Sequence, residues 1–160
     1  MARASLFRRI LVPYDFSAPS DRALIVAADL AKHHGGRVTA LHVLTPLYSG
    51  LGYPAQAEIA WTPPAQLVEE QRRHLERTVR ETLGKKASDV VCLAAMGDAA
   101  SEILAACRNA DVVVMATLGR TGLGHLLIGS IAEKIVRHSP VPVLTIRAAP
   151  PRRRRQKRRA

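Results

Sequence analysis

Short apolar runs alternate along this chain with longer segments whose apolar residues recur at helical spacing, and few architectures accept that alternation. Ile10-Leu11-Val12, Val38 to Val43, Asp89 to Ala95, Asp111 to Met115 and Val141 to Ile146 read as strands. After the first run, Ser17, Pro19 and Ser20 supply the chemistry of a helix start, and Leu24, Ala27, Ala28 and Ala31 make one stripe that ends at Gly35-Gly36. A second helix is predicted from near Pro64, with Leu67, Leu75, Val79 and Leu83 at helical spacing. The third is predicted over Ala99 to Arg108 and the fourth over Ser130 to His138. A strand, a helix and the next strand within about 30 residues make a βαβ crossover, so the pattern predicts an α/β fold around a parallel sheet.

Composition agrees with that reading. Apolar residues are 48% of the 160-residue chain and aromatics only 4%, so Val, Ile, Leu and Ala must fill the core. Aliphatic cores of this kind suit parallel strands buried on both faces. The length fits one domain and needs neither disulfide nor metal for stability. Cys92 and Cys107 lie in apolar runs without CxxC spacing and read as small buried hydrophobes. No apolar stretch reaches the ~18–20 residues of a membrane span. The basic stretch Met1 to Arg9 is followed by no signal-peptide pattern, so a cytoplasmic location is expected.

The segment most suited to chemistry follows the fourth strand: Ala116-Thr117-Leu118-Gly119-Arg120-Thr121-Gly122-Leu123-Gly124-His125-Leu126-Leu127-Ile128-Gly129-Ser130. It leaves a buried strand at its carboxyl end, where open α/β sheets place ligands. Its glycines let backbone N–H groups approach an anion. It ends at a helix start, whose unpaired N–H groups and positive dipole end favour phosphate. Gly124-x4-Gly129-Ser130 lacks the lysine of a P-loop, and Gly119, Gly122 and Gly124 do not make GxGxxG. From spacing alone, a phosphate cradle and a ligand-free strand-to-helix connection both remain open.

Together with Pro13-Tyr14-Asp15-Phe16-Ser17, this segment resembles the universal stress protein family. The similarity runs from about Arg9 to Arg147 and includes Leu41-His42-Val43, Gly97, Gly129-Ser130-Ile131-Ala132-Glu133-Lys134-Ile135 and Pro140-Val141-Pro142-Val143. The resemblance implies a doubly wound five-stranded parallel sheet, a Rossmann-like three-layer sandwich of the adenine-nucleotide α-hydrolase-like type. It divides the chain into an extension over 1–8, the domain over 9–147 and a disordered basic tail over 148–160. ATP-binding members of the family carry Gly, two residues, Gly, nine residues, Gly, then Ser or Thr. Gly119, Gly129 and Ser130 match the later positions, and Ala116 stands in place of the first glycine. The resemblance implies ATP as ligand, with Mg or Mn carried by its phosphates. Pro13 and Asp15 would lie at the adenosine end, Val43 along the adenine, and Met115 and Ala116 by the sugar. Gly119, Arg120, Thr121, Gly129 and Ser130 would hold the phosphates, with Ser130 also suited to cap its helix.

Two functions follow, a nucleotide-binding regulatory module of the stress-response type and a nucleotide-free dimeric interaction protein, which Ala116 favours. An enzyme is a third reading, limited to slow ATP hydrolysis or self-phosphorylation, because no base, activated nucleophile or metal cluster is evident. The resemblance implies a homodimer, and the apolar last strand Val141 to Ile146 suits pairing at a sheet edge. His42 is expected to be a hydrogen-bonded core histidine. His125 is compatible with a phosphate contact or with surface exposure, Trp61 with covering a pocket or a partner surface, and His33-His34 suits a helix C-terminus.

Charge is concentrated. Seven basic residues lie between Arg152 and Arg159, and removing them lowers the net charge from +11 to +4. This run is read as a solvated tail, as a weak non-specific contact to nucleic acid, or as attraction to anionic lipid without stable attachment to a membrane.

Overall fold

In the computed structural model, which describes residues 7–45, 65–117 and 129–147, the five apolar runs form one all-parallel sheet. Its strands are β1 (Arg9–Pro13), β2 (Arg37–Leu44), β3 (Val90–Met96), β4 (Val112–Ala116) and β5 (Val143–Ile146), in the spatial order β3-β2-β1-β4-β5. The helices are α1 (Ala18–His34), α2 (Ala65–Leu83), α3 (Ala99–Ala106) and α4 (Ser130–His138). Every crossover between parallel strands is expected to be right-handed. Moving outward from β1 to β2 and β3 therefore puts α1 and α2 on one face. Returning to β4 and moving on to β5 puts α3 and α4 on the other.

Strand alternation divides the core accordingly. Ile10, Val12, Val38, Ala40, Val112 and Val114 pack with Leu24 and Ala27 of α1 and with Leu75 and Val79 of α2. Leu11, Leu41, Val113 and Met115 face Ile103 of α3 and Ile135 of α4. Cys92 and Cys107 are buried free thiols as expected. Burial raises both, Cys92 to about 11, so neither is a thiolate near neutral pH.

The helix boundaries follow local chemistry. Ser17 caps α1, accepting from Ser20 N at 3.2 Å while Ser20 Oγ accepts from Ser17 N at 3.1 Å. Gly35 ends the helix at φ 60°. Gly36 serves a different purpose: a Cβ there would lie 2.6 Å from the Arg8 carbonyl oxygen, so it lets β1 enter close beside β2. Asp98 caps α3 by accepting from Ser101 N at 2.9 Å.

Several boundaries differ from the sequence expectation. α3 ends at Ala106 and the chain tightens into a 3₁₀ turn over Cys107–Asn109. Asp111 lies before β4, because its carboxylate is taken by Arg9 Nη2 at 2.6 Å and by the backbone N–H groups of Arg8 and Arg9. β5 starts at Val143, because Pro142 has no N–H for the ladder and offers only its carbonyl, which Val113 N meets at 2.9 Å. The long connection after Pro46, with Trp61, lies outside the described residues. β5 occupies a sheet edge as expected, and β3 occupies the other.

Candidate functional site

The strand order places a topological switch between β1 and β4: from β1 the chain first builds toward β2, then returns to build toward β5. The helices that follow β1 and β4, α1 and α4, lie on opposite faces of the sheet, and such a switch point opens a crevice at the carboxyl ends of the strands. A cleft of about 670 Å³ lies there, within the usual range for small-molecule sites. Pro13, Asp15, His42, Val43 and Gln71 line its β1–β2 side. Met115, Ala116, Thr117, Gly129, Ser130 and Ile131 line its β4–α4 side.

The β1 side is held by a tight turn. Tyr14 N donates to Leu41 O at 2.8 Å, extending the ladder past Pro13. Asp15 Oδ1 accepts from Ser17 N at 3.1 Å and from the Ser17 hydroxyl, an Asx turn that fixes the carboxylate. Phe16 between them adopts φ 61°, the left-handed region that bulky residues avoid. Its ring is held from three sides, stacked on His74 of α2 at 4.5 Å, against His42 at 4.6 Å and edge-on to Tyr14 at 5.4 Å. The Tyr14 hydroxyl donates to the Asp21 carboxylate, and burial with that neighbouring charge pushes the phenol well above its ordinary range. His42 Nδ1 lies 2.8 Å from Tyr14 O, so this nitrogen carries the ring proton and donates to the carbonyl.

His42 thus makes a hydrogen bond as expected, but it is not a core residue. It is half-buried and forms part of the cleft wall. The reason is its place near the carboxyl end of β2, beside the crevice at the switch point.

The β4 side is stitched by two successive backbone bonds. Thr117 N donates to Ile146 O at 3.1 Å, and Gly129 N donates to Thr117 O at 2.8 Å. Gly129 occupies the N-cap of α4, and no side chain caps that end. Ser130 is the first helical residue and does not cap the helix, because the chain already turns helical there. The opening N–H groups of a helix have no partners within it, and here the residues that carry them line the cleft.

Among the described residues nothing requires glycine at 129. Its φ is −58°, and an added Cβ would meet Thr117 O at an ordinary 3.5 Å. What a side chain there would occupy is space beside the cleft. Ala116 is equally free of strain, since Phe16 alone has positive φ among the described non-glycine residues. The family's first glycine is therefore not demanded by backbone conformation in this chain.

Of the ten residues expected at the site, the structure brings Pro13, Asp15, Val43, Met115, Ala116, Gly129 and Ser130 to one cleft. Gly119, Arg120 and Thr121 lie outside the described residues, as does His125. Gln71 and His74 were not apparent from sequence, because α2 follows a long connection that hides which strand loop it packs against. Among the described residues no group of three or more His, Cys, Asp or Glu is placed to hold a metal ion, and no helix is long and apolar enough to cross a membrane. A second cleft of about 460 Å³, lined by Arg8, Arg9, Gly35, Gly36, Arg37 and Asp111, lies at the amino ends of the strands, away from the switch point.

Comparison with known proteins meets this geometry directly. The universal stress protein family model matches residues 6–147. The chain belongs to that family. A universal stress protein of Thermus aquaticus is 33% identical over 150 residues, covering 89% of this chain and 100% of the relative. The solved universal stress protein of Lactobacillus plantarum superposes with a TM-score of 0.68 at 23% identity, covering 88% of this chain and 98% of that one. At that identity it supports the fold alone. Two universal stress protein structures were solved with nucleotides, one with cAMP at TM-score 0.61 and 19% identity over 89% of this chain and 98% of that one. The other, from Archaeoglobus fulgidus, holds dAMP at TM-score 0.56 and 18% identity over 88% and 98%. Universal stress protein relatives with this fold thus include nucleotide complexes.

Proposed function

We propose that this universal stress protein is a nucleotide-binding regulatory module of the stress response, taking ATP into the cleft between β1 and β4 and working in the cytoplasm as a homodimer. Residues 9–147 form the binding unit, flanked by the extension over 1–8 and the basic run over 148–160. The observation that carries this reading is Gly129: a glycine that neither its backbone conformation nor packing among the described residues requires, at an uncapped helix start facing a cleft of ligand size. The base and ribose lie along Pro13, Asp15 and Val43, the sugar passes Met115 and Ala116, and the phosphates reach Gly129 and Ser130. Gly119, Arg120 and Thr121 complete the phosphate contacts, and Mg or Mn travels with the phosphates. The cAMP and dAMP complexes of the family support adenine nucleotides as the ligand class.

Calorimetric titration of the purified chain with ATP at low millimolar concentration tests this. Heat of binding with thermal protection supports it; neither effect, with the protein folded, overturns it.

A second reading, a nucleotide-free dimeric interaction protein whose basic run contacts nucleic acid, draws on the exposed Leu144 on the edge strand. Small molecules released from freshly purified protein and measured by mass spectrometry separate the two readings. Turnover stays at most slow, since the described cleft residues include one carboxylate, Asp15, already engaged by Ser17.

A further inference from the structure

An amide interrupts the apolar row by which α2 packs on the sheet. Positions 67, 71, 75, 79 and 83 follow one another at i, i+4 along one face of that helix, and they read Leu, Gln, Leu, Val, Leu. Leu75 and Val79 are buried with Val38, Ala40 and Cys92. α2 joins β2 to the parallel β3, so it runs back from the carboxyl ends of the strands. One turn before Leu75, Gln71 has therefore passed the core; half-buried, it lines the cleft on the β1–β2 side.

Of the other polar side chains on that wall Thr45 is exposed, and the rest are committed to the turn they build. Asp15 accepts from Ser17 N, the Ser20 hydroxyl donates to Ser17 O, the Tyr14 hydroxyl donates to Asp21, and His42 is bonded to Tyr14 O. Gln71 makes no hydrogen bond with any described residue. An amide without partners in a largely apolar row is costly, and a ligand that brings the partners offsets that cost. The same wall carries Leu41, Val43 and Leu44, suited to the faces of a flat base. The uncapped start of α4 lies on the opposite side of the cleft. A nucleotide with its phosphates at that helix start sets its base on the wall that holds Gln71. A primary amide offers an acceptor and a donor side by side, the complement of an amino group next to a ring nitrogen.

We propose that Gln71 reads the base: its Oε1 accepts from the 6-amino group of adenine, and its Nε2 donates to the ring nitrogen beside it. This rests on the nucleotide reading above and names the side chain that selects a 6-aminopurine within it.

The test pairs a change in the protein with a change in the ligand, so that one contact is isolated. The unchanged chain and Gln71→Leu are each titrated with ATP and with purine riboside triphosphate, which lacks only the 6-amino group. Leucine continues the apolar row of α2, so the variant keeps the fold, as thermal melting checks. The unchanged chain should bind ATP about tenfold more tightly than the analogue. Gln71→Leu should bind the two within about twofold of each other. Gln71→Glu keeps an acceptor and should prefer ATP by at least about threefold. Equal affinity of the unchanged chain for both ligands overturns this inference and leaves the nucleotide reading standing. So does a preference that survives in Gln71→Leu or is lost in Gln71→Glu. Gln71→Leu that melts normally and binds neither ligand also overturns it, because one base contact is too small to carry the whole affinity. ATP binding absent from the unchanged chain overturns the nucleotide reading and this inference together.

Discussion

At the residue scale, the site turns on two small side chains with different reasons for being small. Ala116 ends β4 without positive φ, so restoring glycine relieves no strain and adds backbone entropy to the unfolded chain. Ala116→Gly is expected to change ATP affinity less than about threefold while costing up to about 1 kcal/mol of stability. Gly129→Val should do the opposite. Among the described residues its Cβ meets only Thr117 O, at 3.5 Å, so the described fold tolerates the Cβ while the phosphate approach is narrowed. ATP affinity should fall at least about tenfold, the equivalent of one lost charge-assisted contact. Calorimetry read beside thermal melting distinguishes the two. Loss of stability without loss of binding in Gly129→Val would place the phosphates elsewhere. Phe16 stands apart: its left-handed backbone is offset by three ring contacts, and it aims Asp15 and Ser17 in their separate tasks.

At the element scale, β1 is registered by its entry. Gly36 lets Arg8 pass beside β2, and a methyl group there would sit 2.6 to 2.8 Å from three backbone atoms. Gly36→Ala should therefore destabilise by about 1–3 kcal/mol, measured as a lower urea midpoint at unchanged slope. Asp111 fixes the same entry from the β4 side. Hydrogen bonding from the Arg9 guanidinium, outweighing the opposite effect of burial, holds the Asp111 carboxyl below its ordinary 3.8. A carboxylate with a lowered folded pKa contributes stability that is present above the unfolded value and is lost as pH falls through the folded one. The stability difference between the native chain and Asp111→Asn should therefore be constant near neutrality and shrink as pH drops below 3.8. A difference that instead grows on acidification would contradict the assignment. The same pair shows why the expected start of β4 was early: Asp111 fits a strand by position but is recruited by an arginine 102 residues away.

At the scale of the whole molecule, both sheet edges expose apolar side chains among the described residues, Val91 and Leu93 on β3 at 47% and 44%. Leu144 on β5 and Val136 on α4 are 41% and 49% exposed, consistent with the proposed homodimer through the β5 edge. Leu144→Lys should shift the mass in light scattering from dimer to monomer at micromolar concentration, because a lysine facing its own copy adds like charge and removes buried apolar area. An unchanged dimer would move the interface to another surface. The parallel order of strands and helices was legible in the chain, since the periods of two and of 3.6 residues are local properties of apolar side chains. The helix limits near Ser17 and Gly35 were legible for the same reason, because caps are read within a few residues. Likeness to known stress proteins also picked out Pro13, Asp15, Val43, Met115, Ala116, Gly129 and Ser130, which line the cleft. Which strands adjoin, however, is settled by packing across the sheet. Only that packing put β1 beside β4 and opened the crevice between them. It also brought Gln71 and His74 of α2 to the first loop, drew His42 out of the core, and set the end of β5 one residue from the helix start that faces the cleft. Local pattern fixes what each segment becomes; contacts between residues far apart in the chain decide where the segments meet, and the site exists only at that meeting.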